Sequence, residues 1–332
     1  MRGPVTAGAD FAVAREARLR AANPRSVLRA GGGRRVEVKA HRCLWSGNHP
    51  ENSLGAIEEC YRERVAHAEI DLHMLADGDF IVLHDEVIDA STTGSGRVHD
   101  LTRSAAAALR LTAGGRVTGC RPPLFSEVAA YIAGPPSPTL LELDIPAFGP
   151  IPWLRAEELA RIVEPVRDRV VLNGTDWNMR RLLRVDPELP VACGPEAYLD
   201  WLPDPVRVND VCPENCERGA YGYFDRHPLA ARRDRDVRDY LFDRMLGIHR
   251  LVPGACETHI RAEFLEMMIT DGFPEVVGLL HGLGMLVDAW TLNADGGSRW
   301  FGRLTRLVGA GVDMVSSDTP RELVSAWERA GR

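Results

Sequence analysis

From Arg35 onward the chain alternates short apolar runs with helical segments, a pattern that makes strands lie parallel and return through helices. The candidate strands are Val36–Ala40, Ala66–Leu72, Ile81–Leu83, Thr139–Leu143, Val170–Leu172, Val191–Cys193, Met285–Thr291 and Val312–Ser316. One more is expected between Val206 and Ala255, where the sequence is irregular. Ser53–Arg64, Ser104–Leu111 and Phe125–Ala133 read as helices, the first with Asn52 or Ser53 as N-cap, and a last helix starts from Pro320. An α/β barrel takes roughly 250 residues plus insertions, so a chain of 332 fits one barrel with additions. Residues 1–34 are expected to be an N-terminal extension, in which Phe11–Ala22 has helical composition and Asn23-Pro24 and Gly31-Gly32-Gly33 break it. The barrel domain then runs over 35–332, with an inserted segment around 203–250 lying over the active face. The run Arg232-Arg233-Asp234-Arg235-Asp236 in that segment reads as solvated helix surface rather than a lid that grips phosphate.

Composition excludes several classes. The net charge of −7 and the lack of a long basic run argue against nucleic acid as a partner. No run approaches the ~18 apolar residues of a membrane span, and Met1–Ala30 has no apolar core of a signal peptide. Seven cysteines without regular spacing fit a reducing compartment, and a cytoplasmic location is expected. Cys212-Pro-Glu-Asn-Cys216 lacks the second pair that a zinc site needs. Lys39 is the single lysine among 40 basic residues, a bias that reflects genome composition as much as chemistry. The oligomeric state is left open.

The chemistry-bearing residues cluster at strand ends. His41-Arg42 closes the first apolar run, Glu69-Ile70-Asp71 lies in the second, and His84-Asp85 closes the third. Side chains two apart on a strand share a face, so Glu69 and Asp71 can hold one ion together. His41 and His84 at neighbouring strand ends can flank it as acid and base. A lone histidine at a strand end is more often a hydrogen-bonded structural residue, and Glu-x-Asp alone is common on exposed strands. The ordered set, placed where barrel active sites lie, favours a site. His49, His67, His73 and His99 lack that support and read as structural or surface residues, and Asp85 as the residue that orients its turn.

The ordered set His41-Arg42-Cys43, Pro50-Glu51-Asn52, Glu69-Ile70-Asp71 and His84-Asp85 resembles the glycerophosphodiester phosphodiesterase family. The likeness extends through Ala76-Asp77-Gly78, Thr92-Thr93-Gly94-Ser95-Gly96, Leu141-Glu142-Leu143, Ala289-Trp290-Thr291-Leu292-Asn293 and Val315-Ser316-Ser317-Asp318-Thr319-Pro320. It is dense over 35–145 and 285–325 and thin between. What it implies is a (β/α)8 TIM barrel of the α/β class that hydrolyses phosphodiesters with one divalent cation. By that resemblance Glu69, Asp71 and Glu142 are expected metal ligands and His41 and His84 the general acid–base pair. Arg42 is an expected phosphate contact, and Glu51, Asn52, Asp144 and Trp290 complete the substrate side. Hard oxygen ligands select Mg²⁺ or Ca²⁺.

Two positions depart from the family pattern. The acidic strand commonly continues Glu-x-Lys, yet here Asp144 stands at the lysine position, and Cys43 replaces the glycine after His-Arg. A carboxylate at 144 repels phosphate or adds a fourth acidic ligand, which points away from plain glycerophosphodiesters. The leading expectation is a phosphodiesterase acting on a small diester, glycerophosphodiester-like or related, by paired-histidine catalysis. The alternatives are a lyase that forms a cyclic phosphate, as sphingomyelinase-D-like enzymes do, and a catalytically inactive barrel that binds phosphoesters.

Overall fold

Strand residues that face away from the barrel axis are apolar, and this alternation builds the core. The computed structural model of the chain describes residues 7–146, 149–202, 218–295 and 299–331. In β1 (Arg35–Ala40) the outward residues are Val36, Val38 and Ala40; in β2 (His67–Met74), Ala68, Ile70 and Leu72; in β3 (Leu140–Ile145), Leu141, Leu143 and Ile145. All are buried against helix side chains such as Ile57, Phe125, Leu159, Leu182, Phe264 and Leu307. The apolar core is therefore a ring between strands and helices, and the lumen is left to polar groups.

Five more parallel strands complete the sheet: β4 (Val170–Gly174), β5 (Ala192–Cys193), β6 (Glu257–Arg261), β7 (Leu286–Trp290) and β8 (Met314–Ser317). Their order is β4-β3-β2-β1-β8-β7-β6-β5, and a parallel bridge from Leu172 to Val191 joins the two ends. This is an eight-stranded α/β barrel. Helices return each strand to the next, as expected for right-handed parallel crossovers. Ser53 caps Leu54–Arg62 by accepting from the Ala56 N–H at 3.2 Å.

Three expectations are corrected. Phe80–Val82 is not a barrel strand but pairs antiparallel with Leu72–Met74. Only residues 75–79 separate the two, whereas a parallel return needs a dozen or more residues. The strand expected between Val206 and Ala255 lies just beyond, at Glu257–Arg261, rich in charged residues because its lumen face is polar. Within the segment expected as an insertion, Val237–His249 is a barrel helix that buries Tyr240, Leu241, Met245 and Ile248. The charged run before it is exposed, and its last residue, Asp236, caps that helix by accepting from the Arg238 N–H at 2.8 Å. Residues 203–217, with Cys212 and Cys216, lie outside the described residues.

The helix Ala7–Ala21 closes the N-terminal end of the barrel. Glu37, fully buried at that end of β1, accepts from Arg15 Nε at 2.6 Å and Arg18 Nη2 at 2.7 Å, with His67 Nδ1 3.4 Å away. Burial alone would raise the Glu37 carboxyl, yet Arg18, Arg15 and His67 hold it well below the usual carboxylate range. Leaving a buried charge without its partners costs about 3–5 kcal/mol. The double variant Arg15→Ala/Arg18→Ala should lose stability on that scale in urea unfolding at neutral pH. Because the folded carboxyl is depressed, this contribution is complete above the ordinary carboxylate pKa and fades as pH falls below it. The gap between wild type and variant should therefore narrow in acid.

Candidate functional site

The lumen is filled with ionisable side chains supplied by alternate strand positions. Lys39, His67, Glu69, Glu142, Glu257, His259 and Asp288 are all buried there. Lys39 Nζ contacts Glu142 Oε2 and donates to Asp288 Oδ2 at 3.0 Å, while Ser316 Oγ donates to the same Asp288 oxygen at 2.7 Å. His259 places Nδ1 2.7 Å from Glu142 Oε1 and Nε2 3.1 Å from Glu257 Oε2. Burial opposes charge here, but at Glu142 pairing outweighs it: His259 and Lys39 hold its carboxyl far below the ordinary pKa. His259, which burial would lower, is pushed up to about 10 chiefly by Glu142. Ligand atoms of Glu142, His259 and Asp288 lie within 4.8 Å of one another, and the Lys39 ammonium already supplies their cation. Lys39→Met should strip that charge from two buried carboxylates and destabilise the protein by about 3–5 kcal/mol in urea unfolding. Lys39→Arg should not restore wild-type stability, because a planar guanidinium does not replace a compact ammonium.

Toward the C-terminal end of the strands the balance of charge reverses. Glu69, Asp71 and Asp144 bring ligand oxygens within 4.8 Å of one another. Register explains the grouping, since Glu69 is level with Glu142 but Asp71 is level with Asp144. Glu69 Oε2 accepts from the Arg42 backbone N–H at 2.6 Å, while Oε1 is buried with no hydrogen-bond partner among the described residues. Asn52 braces Asp71 by donating Nδ2 to Oδ2 at 2.7 Å and accepting the Asp71 N–H at 3.2 Å. Asn173 Nδ2 donates to Asp144 Oδ1 at 2.9 Å. Burial, reinforced by Asp71 and Glu142, raises Glu69 well above the carboxylate range and Asp144 to about 8. Three crowded oxygens with one orphaned lone-pair set form a donor group suited to a hard divalent cation. Of the expected ligands, the structure brings Glu69 and Asp71 together with Asp144. It places Glu142 in the group held by Lys39 and His259.

His41 flanks this acidic group, and His84 follows Leu83, whose N–H donates to the Asp71 carbonyl at 3.1 Å. Arg42 and Cys43 both take left-handed backbone, with φ of 51° and 56°, and that turn places His41 directly after β1. His41 Nδ1 meets Asp318 Oδ1 at 2.7 Å, and Nε2 lies 3.8 Å from Glu69 Oε2. Asp318 in turn accepts from Asn293 Nδ2 at 2.6 Å, and its backbone N–H donates to Asn293 Oδ1 at 2.7 Å. His84 Nδ1 meets Asp85 Oδ1 at 2.8 Å, and its carbonyl accepts from His73 Nε2 at 2.9 Å. A carboxylate on Nδ1 keeps the neutral ring's proton there and leaves Nε2 free to accept one. Arg42 Nη1 donates to Glu51 at 3.0 Å and its Nε lies 3.7 Å from Asp71. Trp290 ends β7 beneath the Arg261 guanidinium. Sequence reasoning missed Lys39, Asn173, His259 and Arg261, and gave Asp318 and Asn293 no role although both lay in quoted motifs.

An α/β barrel with an acidic, histidine-flanked mouth defines the class. The family model "Glycerophosphoryl diester phosphodiesterase family" matches residues 41–192. A glycerophosphodiester phosphodiesterase 1 from Bos taurus is 43% identical over 70 residues, 20% of each chain. A glycerophosphodiester phosphodiesterase from Bacillus subtilis is 40% identical over 68 residues, 20% of this chain and 23% of that one. The chain thus spans about a fifth of the length of these curated relatives in each match. Among solved structures, a Parabacteroides distasonis glycerophosphodiester phosphodiesterase superposes with TM-score 0.59 at 16% identity, covering 89% of this chain and 98% of that one. An Oleispira antarctica phosphodiesterase in complex with the product sn-glycerol-3-phosphate gives TM-score 0.53 at 17% identity, covering 88% and 96%. Over residues 41–192 the chain matches the glycerophosphoryl diester phosphodiesterase family, and its barrel has the fold of the solved phosphodiesterases.

Proposed function

We propose that this protein is a phosphodiesterase that cleaves a small phosphodiester, glycerophosphodiester-like or related. The observation that carries the reading is the pair of His–Asp couples, His41–Asp318 and His84–Asp85, set at the rim of the Glu69–Asp71–Asp144 group. Glu69, Asp71 and Asp144 would hold one divalent cation, Mg²⁺ or Ca²⁺. Such an ion, when bound, lowers the negative charge that an attacking oxygen meets at phosphorus. Each histidine turns Nε2 away from its carboxylate partner, so the neutral ring takes the proton of the attacking water while the other, already an imidazolium, gives its Nε2 proton to the departing alkoxide as the P–O bond to it breaks. Asp318 and Asp85 stabilise the imidazolium that each ring passes through. Asn52 fixes Asp71 and the Arg42 N–H fixes Glu69, so the acidic group is set before substrate arrives. Arg42 supplies positive charge beside it.

Three crowded carboxylates repel one another, so a bound cation should stabilise the fold. Mg²⁺ or Ca²⁺ should raise the melting temperature of chelated protein, and excess EDTA should lower it and abolish turnover. Full activity in EDTA would overturn the assignment. Asp144→Asn should remove the cation-dependent rise in melting temperature.

His41→Ala and His84→Ala should each cut turnover of a diester with a poor leaving group by about 10²–10⁴-fold with the fold intact. Product analysis by ³¹P NMR should show a phosphomonoester, and a cyclic phosphate would mean that a substrate hydroxyl attacks instead. Near-normal rates in either variant would remove that histidine from proton transfer.

A further inference from the structure

The β6 side of the mouth holds a guanidinium that the reading above does not use. Alternation along β6 puts Arg261, its last residue, on the lumen face with Glu257 and His259. It is only 8% exposed. Its backbone N–H donates to Glu196 Oε1 at 2.8 Å, its Nε donates to Asp200 Oδ2 at 3.4 Å, and its guanidinium carbon sits 4.4 Å from the centroid of the Trp290 ring. These contacts fix the plane of the group and leave Nη2 buried without a hydrogen-bond partner among the described residues. The loop that carries Glu196 is moulded to this strand: a Cβ at Gly194 would lie 2.5 Å from the His259 carbonyl oxygen. Burial raises both the Glu196 and the Asp200 carboxyl above the ordinary carboxylate range. Asp200 is the carboxylate that meets the Arg261 side chain, and the Nη2 edge stays open.

A buried cationic donor without an acceptor is costly, and an anionic oxygen satisfies it best. The strand ring sets β6 across the barrel from β2, so Arg261 faces the side that carries Glu69 and Asp71. Arg42, the other guanidinium described at the mouth, is already flanked by Glu51 and Asp71. We propose that Arg261 anchors an anionic oxygen of the substrate across the mouth from the Glu69–Asp71–Asp144 group, braced by Asp200 and Trp290. The inference rests on the phosphodiesterase reading. The oxygen belongs either to the scissile phosphate or to a second anionic group on one ester arm, and the test separates these sources.

The test uses the full chain with Arg261→Gln and Arg261→Lys. Binding of inorganic phosphate is measured by calorimetry, alongside steady-state kinetics on diesters whose alcohol arm is cationic, neutral or carboxylate-bearing. Arg261→Gln should weaken phosphate binding and raise KM on the order of 10- to 100-fold, with kcat and melting temperature near wild type. Arg261→Lys should recover part of the loss, and it carries the test if the glutamine variant melts early. A rise in KM uniform across the panel assigns the oxygen to the scissile phosphate, and a rise confined to the carboxylate-bearing diester assigns it to the arm. Unchanged phosphate affinity and unchanged KM in a folded Arg261→Gln protein would overturn the anchor. If no diester is turned over while phosphate binding still depends on Arg261, the phosphodiesterase reading fails and the anchor stands.

Discussion

The ammonium of Lys39, held between Glu142 and Asp288, is the interaction on which the polar lumen depends. A barrel interior of this size is ordinarily filled by branched apolar side chains. Here it carries five buried carboxylates on β2, β3, β6 and β7: Glu69, Asp71, Glu142, Glu257 and Asp288. Such groups stay ionised away from water only when paired. Lysine suits the position because its charge is a compact point on a thin stem, whereas arginine needs the room of a planar fork. The bias toward arginine elsewhere in the chain makes this one lysine, fully buried, chemically informative.

From the N-terminal end to the mouth the charges form a gradient of completeness. Glu37 has Arg15 and Arg18; Glu142 and Asp288 have Lys39, with His259 beside Glu142; Glu69, Asp71 and Asp144 have a backbone N–H, two asparagines and the flank of Arg42. Compensation is thus built in below and left incomplete above. Paired charge lies at the closed end and unpaired charge at the open one, the end where barrel active sites lie. Backbone strain follows the same division. Arg42 and Cys43 occupy left-handed conformations that cost non-glycine residues on the order of 1–3 kcal/mol each. Bonds from Leu44 N–H to His41 O at 2.9 Å and from Asn52 N–H to Arg42 O at 3.0 Å hold the turn in place.

Local patterns were legible in the sequence, and long-range pairings were not. The two-residue period put Glu69 and Asp71 on one face without any structure, and the family resemblance added Glu142 and Asp144. Neither said anything about depth, because the stagger between strands decides which carboxylates share a level, and that pairs Asp71 with Asp144. His41 and His84 stood out at strand ends, but the partner of His41 is 277 residues away and emerges only when β8 closes on β1. Ile81–Leu83 is apolar enough for a barrel strand, and only the short link before it marks a hairpin. β6 escaped notice because Glu257, His259 and Arg261 give it the composition of a surface strand, when all three are buried inside the barrel.

Asp144, where the family resemblance leads one to expect lysine, is then one half of the charge distribution in the lumen. A cation now rises from β1, at Lys39, to meet Glu142, and the carboxylate at 144 stands two residues nearer the mouth, about 6.6 Å along the strand. With Glu142 neutralised from below, the acidic group that remains unpaired is displaced outward to the level of Asp71, where the side chain of His41 reaches Glu69. The His41 ring and the acidic oxygens thereby lie side by side at one level of the barrel. The open edge of the Arg261 guanidinium lies on β6, so the unpaired positive charge at the mouth stands opposite the acidic group rather than beside it.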